Sequence, residues 1–175
     1  AAEVTLPSNF MLIAATNPCP CGYLGAEHRG CSCAPGSIER YQRKLSGPLL
    51  DRIDLYVQVA QPRVEDVLDT RAVRGEASAT VRARVHAARR AQIERQGCAN
   101  AELTGEVLLE RTPCSASAKR LLTRTADRLR LSPRASLRLL RVARTVADLA
   151  GEAEVSPGAI AEAAGLRSKL GSAAA

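Results

Sequence analysis

Apolar and polar positions near the start of the chain follow the pattern of buried strands. Two short runs, Phe10–Thr16 and Ile53–Ala60, have the length and apolar or β-branched content of strands. The first run contains no charged residue, which is typical of a strand buried on both faces of a parallel sheet. A short helix is predicted between the two runs, from Ser37 to Leu45, and Gly47 with Pro48 ends it. This part of the chain therefore predicts a piece of an α/β sheet.

Further along, apolar residues recur every three or four positions, which indicates amphipathic helices. Helices are predicted over Glu76–Arg95, over Ser115–Leu129, from Ser132 to Gly151, and from Ser156 onward. Serine is a good N-cap, and in the last two helices it is followed by proline at the first helical position. This part of the chain predicts a helical bundle.

The predicted fold class is therefore α/β plus all-α. The α/β part covers residues 1–62, the helical domain covers 63–170, and residues 171–175 form a disordered tail. Two strands do not make a stable sheet by themselves. We therefore expect the chain to be the later part of a longer protein that supplies the other strands.

The composition sets further limits. The net charge is +7 and the pI is about 9.5, which is compatible with a nucleic-acid or nucleotide partner but also with arginines that simply face solvent. No apolar run approaches the roughly 18 residues of a transmembrane helix, and the start lacks the features of a signal peptide. We expect a cytoplasmic protein whose cysteines are thiols or metal ligands.

Four of the six cysteines lie close together as two Cys-x-Cys pairs, namely Cys19, Cys21, Cys31 and Cys33. Four thiolates are the ligands of a common structural zinc site, although paired zinc ligands usually have at least two residues between them. The same pattern is also compatible with reduced, partly buried thiols or with a redox disulfide. The remaining two, Cys98 and Cys114, are predicted to be structural.

Two polar residues follow or precede the predicted strands. Asn17 follows the first strand, where an amide can orient a water molecule or contact a phosphate oxygen, but Asn-Pro is also a common turn. Arg52 lies just before the second strand, where it can act as an arginine finger on a transferred phosphoryl group. The alternative is an ion pair of Arg52 with Asp51 or Asp54.

Arginines recur along the helix that follows Ser132. Arg134 lies in its first turn, and Arg138, Arg141 and Arg144 follow at spacings of four, three and three, so that they lie on one face. Such a face can present guanidinium groups to a phosphate. It can equally be a solvated stripe over a leucine core.

Taken in order, these motifs closely resemble the magnesium-chelatase-like AAA+ ATPases of the YifB and ComM type. The resemblance rests on AATNPCPCGYLG, CSC, IERYQRKLSGPLLDRIDLYVQV, GEASATVRARVHAARRAQIERQG and LSPRASLRLLRVARTVADLAG, and it extends over nearly the whole chain. It implies that the chain is the second half of an AAA+ core followed by a helical lid.

The resemblance also implies roles for individual residues. Asn17 matches the sensor 1 residue near the γ-phosphate, and Arg52 matches the arginine finger offered to a neighbouring subunit. Arg134 matches the sensor 2 arginine that reaches the nucleotide, with Arg141 as a second candidate for that contact. The implied cofactors are ATP and Mg²⁺, and the implied assembly is a ring, expected to be a hexamer.

The chain departs from the family pattern in one respect. It contains no G-x-x-x-x-G-K-[ST] phosphate loop and no strand ending in paired acids for magnesium, and both lie upstream in this family. We therefore expect the isolated chain neither to bind ATP tightly nor to hydrolyse it.

Two functions remain open for the complete protein. The resemblance implies a motor that acts on DNA, with branch migration of recombination intermediates as the role of ComM-type proteins. The alternative is a chelatase-type motor subunit that remodels a protein partner during metal insertion.

Overall fold

A computed structural model describes residues 4, 10–27, 29–45, 47–60, 62, 64–68 and 75–167, without the side chains of 51, 66 and 67. The chain forms two compact units, Ala1–Ser46 and Gly47–Ala175. The predicted tail at 171–175 lies outside the described residues. The predicted boundary after residue 62 stays a prediction about domains of the complete protein.

The first unit is a cysteine-containing loop followed by one helix. This helix, α1, covers Pro35–Gln42 and begins two residues after Cys33, the last cysteine of the loop. The side-chain amide of Gln42 donates a 3.1 Å hydrogen bond to the carbonyl of Pro18, which ties the end of α1 to the start of the loop. Among the described residues of this unit, Cys19 is the one that is buried. The unit therefore has almost no hydrophobic core.

The second unit is helical. Its described elements are α2 (Gly47–Arg52), α3 (Val64–Leu68), α4 (Ser78–Gln96), a 3-10 turn (Asn100–Glu102), α5 (Gly105–Arg111), α6 (Ala116–Arg128), α7 (Pro133–Leu149) and α8 (Pro157–Gly165). The 3-10 turn and α5 occupy the segment between α4 and α6, for which the sequence predicted no helix.

The predicted serine caps of three helices are confirmed. The hydroxyl oxygens of Ser115, Ser132 and Ser156 each accept a hydrogen bond from the backbone N–H three residues later, at 3.2 to 3.3 Å. Each bond satisfies one of the N–H groups that a helix leaves unpaired at its start. Helix α7 ends just before Gly151, as predicted, and α4 ends just before Gly97. These two glycines adopt positive φ angles of 73° and 77°.

The hydrophobic core of the second unit lies between α6, α7 and α8. Its buried members are mostly small or branched aliphatic residues, namely Ala118, Leu139, Leu140, Ala143, Ala147, Val155, Ala159, Ile160, Ala163 and Ala164. The many alanines allow the helices to approach closely. A parallel β-bridge between Cys114 and Val155 joins the segments that precede α6 and α8. Helix α4 packs against α7 on another side.

The two predicted strands are not formed in this structure. Phe10–Thr16 and Ile53–Ala60 are described without strand or helix, and most of their apolar side chains are exposed, for example 82% for Ile13 and 85% for Val59. Burial on both faces requires neighbouring strands, and the described residues contain none that pair with these runs. The prediction of an α/β core is therefore not confirmed, whereas the helical part of the prediction is.

No described helix is both long and apolar enough to cross a membrane.

Candidate functional sites

The four clustered cysteines converge at one point in the first unit. Their sulfur atoms all lie within 4.8 Å of one another. The Sγ of Cys19 lies 3.4 Å from that of Cys21 and 3.7 Å from that of Cys31, and the Sγ atoms of Cys21 and Cys31 are 3.6 Å apart. The loop thus brings together the residues that the sequence predicted as metal ligands.

Backbone N–H groups point at these sulfur atoms. The N–H of Cys33 donates to the Sγ of Cys31 at 3.4 Å. The N–H groups of Tyr23 and Ser32, in that order, lower the pKa of the Cys21 thiol to about 5. For Cys31 the N–H of Cys33 acts in the same direction, but burial and the neighbouring thiols outweigh it and raise the pKa to about 12. At neutral pH and without a metal ion, Cys21 is therefore a thiolate, whereas Cys31 keeps its proton.

Cys98 and Cys114 lie in the second unit, outside this cluster. Both are half-buried free thiols, and burial raises the pKa of Cys114. A raised pKa makes a thiol less reactive. This agrees with the structural role predicted for Cys114.

Asn17 lies at the entrance to the cysteine loop. Its side chain is exposed, and its Cγ lies 3.9 Å from the position that a Cβ on Gly22 would take. The strand predicted to precede Asn17 is not formed here, so its role as sensor 1 stays a prediction.

Arg52 is the last residue of α2 in the second unit, and its side chain is exposed. Its Nη1 donates a 3.2 Å hydrogen bond to the carbonyl of Pro48, one turn earlier. Asp54, one of the two acids considered as its partner, is bonded to Arg138 instead. The side chain of Asp51 lies outside the described residues. The arginine-finger role of Arg52 stays a prediction.

The arginines of α7 do not form one solvated face. Arg134 is exposed in the first turn, Arg138 and Arg141 are half-buried, and Arg144 is fully buried. The hypothesis of a solvated stripe is therefore wrong for Arg144, because α7 is covered on that side by other parts of the unit.

Arg141 is half-buried without a full set of hydrogen bonds. Its Nε is buried and has no hydrogen-bond partner. Burial lowers its pKa, the carboxylate of Asp54 opposes that change, and the nearby charge of Arg138 adds to it. A cation with an unpaired, buried donor is expensive to keep. Arg141 is thus a candidate for binding an anion.

Arg138 connects α7 to the segment that follows α2. Its Nε donates to Oδ1 of Asp54 at 2.7 Å, and its Nη2 donates to the backbone carbonyl of Arg52. Two donors of one guanidinium group thus hold both ends of a three-residue segment. The helix carrying Arg134 and Arg141 is thereby joined directly to the segment carrying Arg52.

A second charged cluster is buried and was missed by the sequence analysis. Asp148 accepts hydrogen bonds from Arg144, from Arg95 on α4 and from the side chain of Asn100, at 2.6 to 3.1 Å. Arg144 also donates to the carbonyls of Glu152 and Ala153. The spacing of Arg144 and Asp148, four residues on one helix, was the available signal. This cluster fastens α4 to α7, and we assign it to the fold.

Comparison with known proteins decides the family. Residues 75–167 match the C-terminal part of magnesium chelatase subunit ChlI, and residues 1–67 match magnesium chelatase subunit ChlI itself. The chain belongs to the magnesium-chelatase-like family. The first of these regions contains α4 to α8, and the second contains the cysteine loop together with Asn17 and Arg52.

Individual relatives include members named YifB and ComM. YifB of Salmonella typhimurium is 40% identical over 166 residues, which is 95% of this chain and 32% of that protein. The competence protein ComM of Haemophilus influenzae is 39% identical over 172 residues, 97% of this chain and 33% of that protein. YifB of Escherichia coli is 41% identical over 148 residues, 85% of this chain and 29% of that protein. This magnesium-chelatase-like chain therefore spans about a third of the length of the curated relatives it matches.

Proposed function

We propose that this chain supplies part of the ATP-hydrolysing centre of an AAA+ ring motor that acts on DNA. In this proposal Asn17 helps to place the attacking water, and Arg52 reaches the nucleotide bound by a neighbouring subunit. Arg134 and Arg141 contact the nucleotide from the helical lid. The phosphate loop, and the groups that hold Mg²⁺, belong to a part of the protein outside these 175 residues.

The observation that carries the proposal is the double contact of Arg138. An arginine finger must hold its position while it stabilises charge on a transferred phosphoryl group, an effect of about 10³ to 10⁵ in rate. The hydrogen bonds of Arg138 to Asp54 and to the carbonyl of Arg52 fix the backbone that carries such a finger. They also give the lid helix a mechanical connection to it. A change in how the lid contacts nucleotide would then reach Arg52.

Arg141 supports the nucleotide contact. A phosphate oxygen beside its buried Nε would supply the hydrogen bond that this atom lacks in the described residues. Arg134 is exposed in the first turn of α7, so it can reach a ligand only beyond the surface of this unit. Of the two, Arg141 therefore carries the stronger support from its surroundings.

The two apolar runs support the proposal that this chain contains only part of an α/β core. Phe10–Thr16 and Ile53–Ala60 have the composition of buried strands but lack partners in the described residues. In the proposal they pair with strands of the remaining two thirds of the protein. This would put Asn17 at a strand end, where α/β proteins bind ligands.

DNA is the proposed substrate for two reasons. The chain carries a net charge of +7, and one of its relatives is a competence protein. Exposed arginines at spacings of four run along α6, namely Arg120, Arg124 and Arg128. None of them has an ion-pair partner within the described residues. Such a stripe suits contacts to a phosphate backbone without reading of sequence. We place the protein in the cytoplasm, where DNA is present and where cysteines stay reduced, as all six are in this structure.

The DNA part is tested by measuring the affinity of the complete protein for duplex DNA as a function of salt. Arg120→Glu combined with Arg124→Glu should weaken binding and reduce the slope of log K against log salt by about two. The control is Arg90→Glu combined with Arg111→Glu, which makes the same change in net charge at exposed positions on α4 and α5. Equal loss in both double variants would contradict a contact by α6.

The same assay separates the alternative function. A chelatase-type subunit that remodels a protein partner does not need DNA. If the complete protein shows no affinity for DNA at low salt, the hypothesis of a DNA motor is wrong and that of a protein-remodelling subunit is favoured. The isolated chain tests a different part of the proposal, namely that the phosphate loop lies outside these 175 residues. We expect this chain alone to show no ATP hydrolysis above background.

A further inference from the structure

The first unit has a compact loop but almost nothing apolar to hold it. Cys19 is the one buried residue among those described between positions 10 and 45. A segment of this size needs a staple such as a metal ion or a disulfide when it lacks a hydrophobic core. All six cysteines of the chain are free in this structure.

The sulfur positions fit a tetrahedral metal ion. A Zn–S bond is about 2.3 Å, so two sulfurs of a regular tetrahedron lie about 3.8 Å apart. Three of the sulfur pairs are separated by 3.4, 3.6 and 3.7 Å, and all four sulfurs lie within 4.8 Å of one another. A disulfide bond, at about 2.05 Å, would need a much closer approach. Disulfide pairing would also link only two sulfurs at a time, whereas here all four converge.

The backbone around the sulfurs is shaped for this convergence. Gly22 and Gly25 have φ angles of 83° and 82°, which side-chain-bearing residues rarely adopt, and they turn the loop between the two cysteine pairs. The N–H of Gly22 bonds to the carbonyl of Cys19 at 3.0 Å, and the N–H of Cys33 points at the Sγ of Cys31. Such N–H groups orient and stabilise ligating sulfurs.

We propose that Cys19, Cys21, Cys31 and Cys33 bind one structural Zn²⁺ ion as a closed tetrathiolate centre. Four sulfur ligands complete the tetrahedron and leave no position for a substrate, so the ion holds structure and takes no part in catalysis. Because Cys33 directly precedes Ala34, the N-cap of α1, and Cys19 follows Asn17 by two residues, the ion fixes the start of α1 relative to Asn17. This inference does not depend on the ATPase proposal.

Metal analysis of the purified 175-residue chain tests the proposal. After reconstitution with Zn²⁺ under reducing conditions and removal of loose metal, we expect one zinc ion per chain. Replacement by Co²⁺ should give the intense visible absorption of a tetrahedral thiolate site. A chain that holds no zinc and gives no such spectrum would overturn the proposal, as would iron with acid-labile sulfide or two disulfides in the isolated protein.

Single substitutions identify the ligands. Cys19→Ser, Cys21→Ser, Cys31→Ser and Cys33→Ser should each lose tight zinc binding, whereas Cys98→Ser and Cys114→Ser should keep it. Circular dichroism measures the helix content of each variant. Because the helices of the second unit should remain in all of them, loss of zinc cannot be attributed to unfolding of the whole chain. Chelation of the metal should make the loop between the cysteine pairs sensitive to protease in wild type and in the two controls. Retention of one zinc ion by any of the four ligand variants with unchanged affinity would contradict a four-cysteine site.

Discussion

Arg138 and Asp54 are 84 positions apart in the sequence and are joined by a 2.7 Å hydrogen bond between Nε and Oδ1. The side chain of Arg138 is only 16% exposed, whereas that of Asp54 is 44% exposed. The second donor of Arg138 bonds to the carbonyl of Arg52. One side chain of α7 thus holds the segment that carries the proposed finger at two points.

Asp54→Ala should destabilise the second unit by about 1 to 2 kcal/mol, because it leaves a largely buried guanidinium group without its carboxylate. The measurement is urea-induced unfolding of the chain. Glu76→Ala is the control, since its ion pair with Arg84 has both side chains about half exposed. Exposed pairs contribute less than about 1 kcal/mol. Equal losses in the two variants would mean that the Arg138 contact has no special weight.

Asp148→Asn should be far more damaging. The side chain of Asp148 is 2% exposed and that of Arg144 is 0% exposed, and removing one partner of a buried pair costs about 3 to 5 kcal/mol. Unfolding by urea should show this loss. Asp127→Asn, at an exposed position on α6, should change the free energy of unfolding by less than about 0.5 kcal/mol.

The same carboxylate predicts a pH dependence. Burial alone would raise the pKa of Asp148, but hydrogen bonds from Arg95 and Asn100 and the charge of Arg144 outweigh burial and lower it below the ordinary value of 3.8. The contribution of this group to stability is therefore complete above its unfolded pKa and is lost as pH falls through the lower folded value. The stability gap between wild type and Asp148→Asn should narrow as pH falls from about 6 to about 3. A gap that stays constant over this range would show that the charge of Asp148 does not stabilise the fold.

Two helix ends offer a prediction with opposite signs. Helices α6 and α7 end in the same hydrogen-bond pattern, but the residue with positive φ is Arg130 in one case and Gly151 in the other. This left-handed conformation costs a residue with a Cβ about 1 to 2 kcal/mol. Arg130→Gly should therefore stabilise the chain and Gly151→Ala should destabilise it, each by roughly 0.5 to 1 kcal/mol.

Thermal unfolding measures both changes. Gly165→Ala is the control, because Gly165 is the last residue of α8, its φ is not positive, and an added Cβ there meets no atom within 4 Å. We expect this variant to be slightly stabilised by the better helix propensity of alanine. If Gly151→Ala behaved like Gly165→Ala, the left-handed conformation at Gly151 would not matter for stability.

The sequence predicted those features that depend on neighbouring residues. The caps at Ser115, Ser132 and Ser156 need only the next three N–H groups, so a local pattern specifies them. The cysteine cluster was predictable for a similar reason, because Cys19 and Cys33 are separated by a short loop with glycine turns.

Features that depend on distant partners could not be predicted in this way. Arg144 looks like one more arginine of a polar face, but it is buried and bonded to Asp148. The same carboxylate accepts a hydrogen bond from Arg95, which lies 49 positions before Arg144. The apolar run Phe10–Thr16 has the composition of a buried strand, but a strand forms only where another strand pairs with it. Composition reveals the preference of a segment and not the presence of its partner.

The role of Arg52 as an arginine finger is tested by measuring ATP hydrolysis by the complete protein that carries Arg52→Ala. Arg111→Ala, at an exposed position at the end of α5, is the matched control, and unchanged unfolding curves would show that both variants are folded. If Arg52 stabilises the transferred phosphoryl group, Arg52→Ala should lower the turnover rate by about 10³ to 10⁵ while Arg111→Ala leaves it close to that of wild type. Turnover by Arg52→Ala at the rate of the control would show that Arg52 is not an arginine finger.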